Sequence, residues 1–136
     1  MTIRGGCLCG GIRYEIDGPL GSSVYCHCSM CRKFHGSAFR ARLSVPKTSF
    51  RFLKGEELLT KYRSSSDTVK SFCKVCGSAM VNQWDPEPNS WGLAMGSLDD
   101  DPGVRPSMHI FAGSKAPWYD ITDDLPQFKT FPGAND

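Results

Sequence analysis

Short stretches of alternating apolar and polar residues recur along this chain and predict a series of β-strands. In residues 11–17, isoleucine and tyrosine alternate with arginine and glutamate, which is typical of a strand with one buried face. The same alternation runs from Phe39 to Val45, and Pro46 is expected to close that strand. Each segment is therefore expected to turn one face toward a core.

The rest of the chain repeats this pattern with few helical interruptions. One short helix is expected from Ser29 to His35, with Ser29 as its N-cap and Gly36 as its stop. The tail from Ala112 is expected to pack as an ordered loop. Further strands are expected at residues 23–26, 50–52, 58–62, 69–73, 79–84, 91–98 and 108–111. The pattern predicts a mainly β fold of short strands with at most one or two short helical turns.

Length and charge narrow the class of protein. The 136 residues suit a single domain spanning 1–136. The formal net charge of +2 gives no electrostatic case for binding nucleic acid. No apolar run approaches the length of a membrane span, and residues 1–5 do not form a basic and apolar leader. We therefore expect a soluble, cytoplasmic protein.

Seven cysteines in three tight clusters carry the strongest chemical signal. The clusters are Cys7 with Cys9, then Cys26, Cys28 and Cys31, then Cys73 with Cys76. Closely spaced thiolates are typical zinc ligands, because a tight turn brings them together with little strain. Seven divides into four, which close a tetrahedral structural site, and three, which leave one coordination position open. The count suggests one structural metal and one reactive metal.

Other interpretations of the cysteines fit less well. A disulfide framework would leave one cysteine over, and two cysteines separated by one residue make a poor disulfide. Iron–sulfur ligation by four thiolates is one alternative, and buried inert thiols are another. Three clusters, two of them followed directly by glycine, are hard to explain as inert thiols. A structural zinc shared by the first and third clusters would close a loop of about sixty residues, although other partitions of seven thiolates also satisfy the spacing.

The motifs around these cysteines are similar to those of a known family. They read Gly6-Cys7-Leu8-Cys9-Gly10-Gly11, Cys26-His27-Cys28-Ser29-Met30-Cys31, Ser71-Phe72-Cys73-Lys74-Val75-Cys76-Gly77, Gly96-Ser97-Leu98-Asp99-Asp100 and Ser114-Lys115-Ala116-Pro117-Trp118. Together they resemble the glutathione-dependent formaldehyde-activating enzyme family, also called the centromere-protein-V family. The resemblance covers nearly the whole chain and includes all seven cysteines.

The resemblance implies a fold, a set of ligands and a reaction. The fold is a mainly β, Mss-four-like zinc-binding fold of short antiparallel strands, with two zinc ions per chain. The structural zinc is held by Cys7, Cys9, Cys73 and Cys76, and the catalytic zinc is held by Cys26, Cys28 and Cys31. The family's named reaction joins glutathione and formaldehyde to give S-hydroxymethylglutathione, and it is classed as a carbon–sulfur lyase reaction.

A zinc ion held by three thiolates is suited to binding another thiolate. A small thiol such as glutathione would be held there deprotonated and could attack a small aldehyde placed nearby. The proton donor is not evident from the sequence. His27 is the nearest candidate, but a ring packed on the zinc turn or hydrogen-bonded to backbone is the simpler interpretation. His35 is more simply a helix-terminal histidine, and His109 a satisfied core histidine or one that supports a metal ligand.

Two classes of function follow from these patterns. The first is a zinc-dependent enzyme acting on the carbon–sulfur bond of a thiol–aldehyde adduct. The second is a zinc-stabilised binding module in which the three-cysteine site is vestigial or closed by a protein side chain. The basic residues Arg32, Lys33, Arg40 and Arg42 are more simply a solvated face than an anionic-substrate site.

Overall fold

The computed structural model of the chain describes residues 2–134, and these residues form a mainly β fold. The single α-helix in this range, α1, spans Ser29–His35. Single turns of 3₁₀-helix occur at Lys47–Ser49, Glu56–Leu58, Met95–Ser97 and Ala112–Ser114. The strands are β1 (Thr2–Gly6), β2 (Arg13–Asp17), β3 (Ser23–Cys26), β4 (Arg40–Pro46), β5 (Phe50–Lys54), β6 (Leu59–Arg63), β7 (Thr68–Cys73), β8 (Ala79–Trp84), β9 (Ser90–Ala94) and β10 (His109–Ile110). The predicted fold class, mainly β with short strands, is confirmed.

The strands form two sheets. The smaller sheet has the order β1-β2-β5, and the larger sheet has the order β10-β3-β4-β9-β8-β7-β6. All neighbouring strands are antiparallel except β10 and β3, which are parallel. Antiparallel sheets commonly bury one face and leave the other polar, which is the pattern the alternating sequence predicts.

The main core lies between the two sheets. The smaller sheet contributes Ile12, Tyr14 and Ile16, all of them at most 1% exposed. Leu43 on β4 and Leu93 on β9 are directly opposite each other in the larger sheet and are fully buried against the same cluster. One face of the larger sheet therefore packs in the core, and its other face is available to form a site.

Two element boundaries differ from the expectations. Strand β1 was not predicted, because its sequence ends in two glycines, which weaken a strand signal. It forms nonetheless because it pairs along its whole length with β2. The strand expected over residues 91–98 ends at Ala94, and a 3₁₀ turn over Met95–Ser97 replaces its second half.

The predicted helix is present with one correction at its start. Its N-cap is Cys28 rather than Ser29, because the Cys28 sulfur accepts a hydrogen bond of 3.3 Å from the Cys31 N–H. Gly36 ends the helix in a left-handed conformation, as expected. A cysteine cluster and a helix start therefore share one turn of chain.

The segment after β10 is ordered loop, as expected, and it lies along that strand. The His109 N–H donates to the Pro126 carbonyl, and the Phe128 N–H donates back to the His109 carbonyl, each at 2.9 Å. This pairing places the side chains near residue 130 beside the open face of the larger sheet. Within residues 2–134, no helix is long and apolar enough to cross a membrane.

Candidate metal centres

The first group of thiols, the four-cysteine cluster, brings together both ends of a long stretch of chain. It comprises Cys7, Cys9, Cys73 and Cys76, whose sulfurs all lie within 4.8 Å of one another. Cys9 Sγ is 3.6 Å from Cys7 Sγ and 3.9 Å from Cys73 Sγ. Four sulfurs placed at about 2.3 Å around a zinc ion would be about 3.8 Å apart. The spacing in this cluster therefore fits a tetrahedral zinc site.

Two similar turns present these sulfurs. In the first turn the Gly10 N–H donates to the Cys7 carbonyl at 3.0 Å, and in the second the Gly77 N–H donates to the Cys73 carbonyl at 2.8 Å. Both glycines are left-handed, with φ of 77° and 76°, a conformation that residues with a Cβ adopt only at a cost. One turn follows β1 and the other follows β7, so the cluster ties the two sheets together.

Hydrogen bonds to sulfur favour the thiolate forms of Cys7 and Cys76, whereas the pKa of Cys9 is raised to about 11, because the Gly11 donor is outweighed by the bond with Cys7 and by burial. Backbone N–H groups of Ile12 and Gly11 donate to Cys7 Sγ at 3.2 Å and to Cys9 Sγ at 3.4 Å. A hydrogen bond with the Ser78 hydroxyl, 3.2 Å away, lowers the pKa of Cys76 to about 5. Metal ligation requires deprotonated sulfur, so these donors prepare the cluster for a cation.

The second group, the three-cysteine cluster, is built from one short segment. Cys26 ends β3, Cys28 caps α1, and Cys31 lies in the first turn of that helix. Their sulfurs also lie within 4.8 Å of one another, and within residues 2–134 no histidine, carboxylate or further cysteine joins them. A metal held here would have three protein ligands and one position left for an exogenous group.

The three thiols do not ionise alike. Hydrogen bonds from Cys26 and Cys28 hold the pKa of Cys31 well below its usual range, and the nearby cations act in the same direction. The hydrogen bond with Cys28, together with burial, raises the pKa of Cys26 far above its usual range. Cys31 is therefore the first of the three to become a thiolate.

Two buried cations stand beside this cluster. Lys70 on β7 is 3% exposed, and its Nζ lies 3.8 Å from Cys31 Sγ. Arg40 on β4 is 7% exposed and donates from Nη2 to the Gly92 carbonyl at 2.8 Å. With its amide oxygen turned toward them, Asn82 accepts from Lys70 Nζ at 3.2 Å and from Arg40 Nη1 at 3.1 Å. The polar face of the larger sheet thus presents positive charge to the cysteines.

A cavity of about 240 Å³ opens onto the three-cysteine cluster. Its lining includes the three cysteines, the two buried cations and four aromatic residues. Trp84 stacks on Phe131 with 5.9 Å between ring centroids, and Phe111 meets Phe131 edge-on at 5.0 Å. Phe111 has a left-handed backbone with φ of 55°, which is rare for an aromatic residue and marks a constrained wall of the cavity.

The three histidines have distinct surroundings. His27 is fully buried, and its Nε2 lies 2.8 Å from His109 Nδ1, while His109 Nε2 lies 3.0 Å from an Asp123 oxygen. The His27 ring is thus held by the His109 ring, and burial lowers its pKa. His109 is a satisfied core histidine and His35 is the last residue of α1, as expected.

Sequence reasoning missed part of the cavity and misjudged another part. The interpretation of Arg40 as part of a solvated face is wrong, because the side chain is buried and hydrogen-bonded. Lys70 and Asn82 were not singled out, since a lysine in a polar strand position resembles a solvent-facing residue. The structure brings the seven cysteines into the two predicted groups, and the roles assigned to them as metal ligands stay predictions.

The fold and the two thiol clusters define a mainly β protein with cysteine sites of the kind that hold zinc. The profile of the glutathione-dependent formaldehyde-activating enzyme family matches residues 2–114. The chain therefore belongs to that family, which confirms the resemblance found in the sequence.

Individual relatives agree with this assignment. A Halomonas elongata protein, provisionally named a glutathione-dependent formaldehyde-activating enzyme, is 27% identical over 144 residues, covering 100% of this chain and 90% of its own length. A Schizosaccharomyces pombe protein, named an uncharacterised lyase, is 37% identical over 79 residues, covering 57% of this chain and 54% of its own. A crystal structure of a Rhodobacter sphaeroides protein matches with a TM-score of 0.60 and 26% identity, covering 76% of this chain and 91% of that one.

Proposed function

We propose that this protein is a zinc-dependent carbon–sulfur lyase-type enzyme that acts on a thiol–aldehyde adduct, with glutathione and formaldehyde as the leading pair. The observation that carries the proposal is the incomplete ligand set of Cys26, Cys28 and Cys31 at the end of an open cavity. The family name and the relative named a lyase support the same class of reaction.

The two clusters have different roles in this proposal. Cys7, Cys9, Cys73 and Cys76 would hold a structural zinc, because four thiolates close a tetrahedral site. Cys26, Cys28 and Cys31 would hold the catalytic zinc. That ion, when bound, supplies a soft position at which a thiol sulfur is held as thiolate.

The chain's own groups prepare the cavity for such a thiol. Lys70 and Arg40 place positive charge beside the sulfurs, which favours the anionic form of an incoming thiol. The rings of Trp84, Phe111 and Phe131 give one part of the cavity wall an apolar surface. Reaction of thiolate sulfur with an aldehyde carbon forms one carbon–sulfur bond, and the resulting alkoxide takes a proton to give the hemithioacetal.

Cobalt substitution tests the proposal directly. Cobalt-loaded protein is titrated with glutathione and, separately, with S-methylglutathione, which cannot supply a thiolate. We expect glutathione alone to change the visible spectrum in the way that sulfur ligation does, and its affinity to rise with pH below the pKa of the free thiol. Equal spectral changes with both compounds, or none at millimolar concentration, would contradict thiol capture.

The alternative is a zinc-stabilised binding module without catalytic activity. It predicts that neither compound reaches the cobalt ion and that the protein does not accelerate adduct formation between glutathione and formaldehyde. The same titration, followed by a rate measurement on the zinc form, therefore separates the two classes. The cysteine variant Cys28→Ser is the matched control, because it should abolish the response of this site.

A further inference from the structure

Lys70, one of the two cations beside the three-cysteine cluster, lies on a row of residues that crosses the larger sheet, and Arg40 reaches the same row from β4 by donating to the Gly92 carbonyl. Ser44, Gly92, Asn82 and Lys70 are cross-strand neighbours on β4, β9, β8 and β7. The register of β7 and β8 shifts between Lys70 and Phe72, and the Ser71 hydroxyl accepts from the Val81 N–H at 3.2 Å within that bulge. Bulges re-aim neighbouring side chains, and here Lys70 points at Cys31.

The Arg40 side chain fits over β9 because residue 92 is a glycine. A Cβ at Gly92 would lie 2.7 Å from Arg40 Nη2 and 3.3 Å from Arg42 Cδ, so the glycine admits both arginines over β9. Arg40 uses this room to reach the Gly92 carbonyl and Asn82. The strand register, the bulge in β7 and Gly92 together determine the positions of Lys70 and Arg40.

Neither buried cation has a carboxylate partner. Among the ion pairs formed within residues 2–134, none includes Lys70 or Arg40. Lys70 Nζ lies instead over the ring of Phe34, 5.4 Å from its centroid. Asn82 is neutral, and burial keeps the neighbouring His35 neutral by lowering its pKa to about 4. Buried charges require compensation, and the thiolates are the nearest negative groups.

The other charged groups around the cavity are in contact with water. Asp67 and Glu87 are exposed, and Asp67 already accepts from Ser65 and Thr68 at 2.9 and 3.0 Å. Arg42 is half-buried and adds further positive charge to the wall. Solvent screens the two exposed carboxylates, so the buried balance is set by the cysteines, Lys70 and Arg40, and the Arg42 side chain, whose Nε is buried, adds only positive charge to it.

The buried charges at the three-cysteine site cancel only when a further anion is present. Three thiolates and one divalent ion carry a net charge of about −1, and two cations change the total to about +1. A neutral fourth ligand would leave that excess buried, whereas a monoanion removes it. We infer that Lys70 and Arg40 make the three-cysteine site selective for an anionic fourth ligand, with Lys70 as the main specificity-determining residue. The inference deepens the proposed function, on which it rests for the identity of that anion as a thiolate.

The experiment uses cobalt-loaded full-length protein with azide as the anionic probe and imidazole as the neutral probe. Dissociation constants come from the visible spectrum, and cobalt content is measured for every variant. We expect Lys70→Met to weaken azide by more than about tenfold while imidazole changes by less than about twofold. Lys70→Arg, which keeps the charge, should bind azide much as the unmodified protein does.

Lys61→Met is the matched control, because Lys61 is an exposed residue of the adjacent strand β6. It should leave both constants unchanged. Equal weakening of azide and imidazole in Lys70→Met, or unchanged azide binding, would overturn the inference. If Lys70→Met fails to load cobalt, the unmodified protein still decides: imidazole displacing azide at equal concentration would overturn the inference, and retention of azide would support it.

The two proposals fail separately. If glutathione does not bind but azide binding depends on Lys70, the charge selectivity stands and the thiol substrate is wrong. If glutathione binds as a thiolate but azide and imidazole respond alike to Lys70→Met, the substrate class stands and the role of Lys70 is wrong.

Discussion

The two cysteine clusters of this protein use the same chemical group in opposite structural settings. The four-cysteine cluster joins residues that are 64 positions apart and links the two sheets through two similar glycine turns. The three-cysteine cluster lies within six residues and borders a cavity and two buried cations. Ligands from distant segments constrain a fold, whereas ligands from one turn leave the rest of the site to other elements. The four-cysteine cluster is therefore placed to stabilise the fold, and the three-cysteine cluster is placed to support a reaction.

The largest expected effect comes from disrupting the four-cysteine cluster. Cys73→Ser removes a fully buried member of the four-cysteine cluster. Binding of a structural zinc contributes on the order of 10 kcal/mol in small zinc domains, which is comparable to the whole free energy of unfolding of a typical domain. We expect the variant to be unfolded or aggregated, as measured by circular dichroism and zinc content. A wild-type melting temperature with unchanged zinc would contradict the structural assignment.

The second prediction concerns disruption of the three-cysteine cluster. Cys28→Ser should lose the second metal and all activity, while the fold survives. The main core between the sheets does not include this segment, so cohesion should depend little on it. Zinc analysis should show about one ion remaining, and the circular dichroism spectrum should match that of the unmodified protein. Global unfolding would show that both clusters are structural.

The third prediction concerns pH and the helix that carries the three-cysteine cluster. Burial lowers the pKa of His35 to about 4 from its usual value of 6.5, so the unfolded chain binds a proton more readily. This histidine therefore contributes stability above about pH 6.5, and the contribution is lost as pH falls from there toward 4. Because the ring is partly screened, about 1–3 kcal/mol is expected.

His35→Gln isolates this contribution from protonation of the thiolates. The unmodified protein should lose more unfolding free energy than the variant between pH 6.5 and 4. Urea unfolding at several pH values measures the difference. Parallel pH curves for the two proteins would show that His35 is not a source of the acid sensitivity.

The smallest expected effect concerns one glycine turn of the four-cysteine cluster. Gly77→Ala places a Cβ in a left-handed turn with φ of 76°, where no neighbouring atom would clash within 4 Å. The cost is therefore purely conformational and should be about 1 kcal/mol. Gly96→Ala is the control, because its surroundings are equally open and its φ is not in the left-handed region. Urea unfolding should show a loss for the first variant only.

The local features of the fold could be predicted from the sequence. Alternation in residues 11–17 and 39–45 indicated strands, and Gly36 indicated the end of α1, because each signal depends on adjacent residues. The count of seven cysteines suggested a division into four and three, and the family resemblance implied which cysteines form each group. The family resemblance rested on the same motifs, and its match covers residues 2–114.

The environment of the three-cysteine cluster could not be predicted in the same way. Lys70 faces Cys31 only because four strands align in one register and β7 bulges at Ser71. Arg40 is buried only because β9 has a glycine where the two arginines cross it. These relations join residues that are distant in sequence, and no local pattern encodes them. Strand β1 was missed for a related reason, since it is stabilised by its pairing with β2 and by contacts with residues 98–100, which are distant in sequence.

The sequence separation within each cluster also sets an order of assembly. Cys26, Cys28 and Cys31 are close enough along the chain to meet before any sheet exists, because closing a short loop takes well under a microsecond. The four-cysteine cluster forms only after β1 and β7 have come together across 64 residues. Metal uptake at the three-cysteine cluster would then be limited by supply, whereas uptake at the four-cysteine cluster would be limited by folding. Scarce zinc during refolding would therefore delay loading of the three-cysteine cluster more than loading of the four-cysteine cluster.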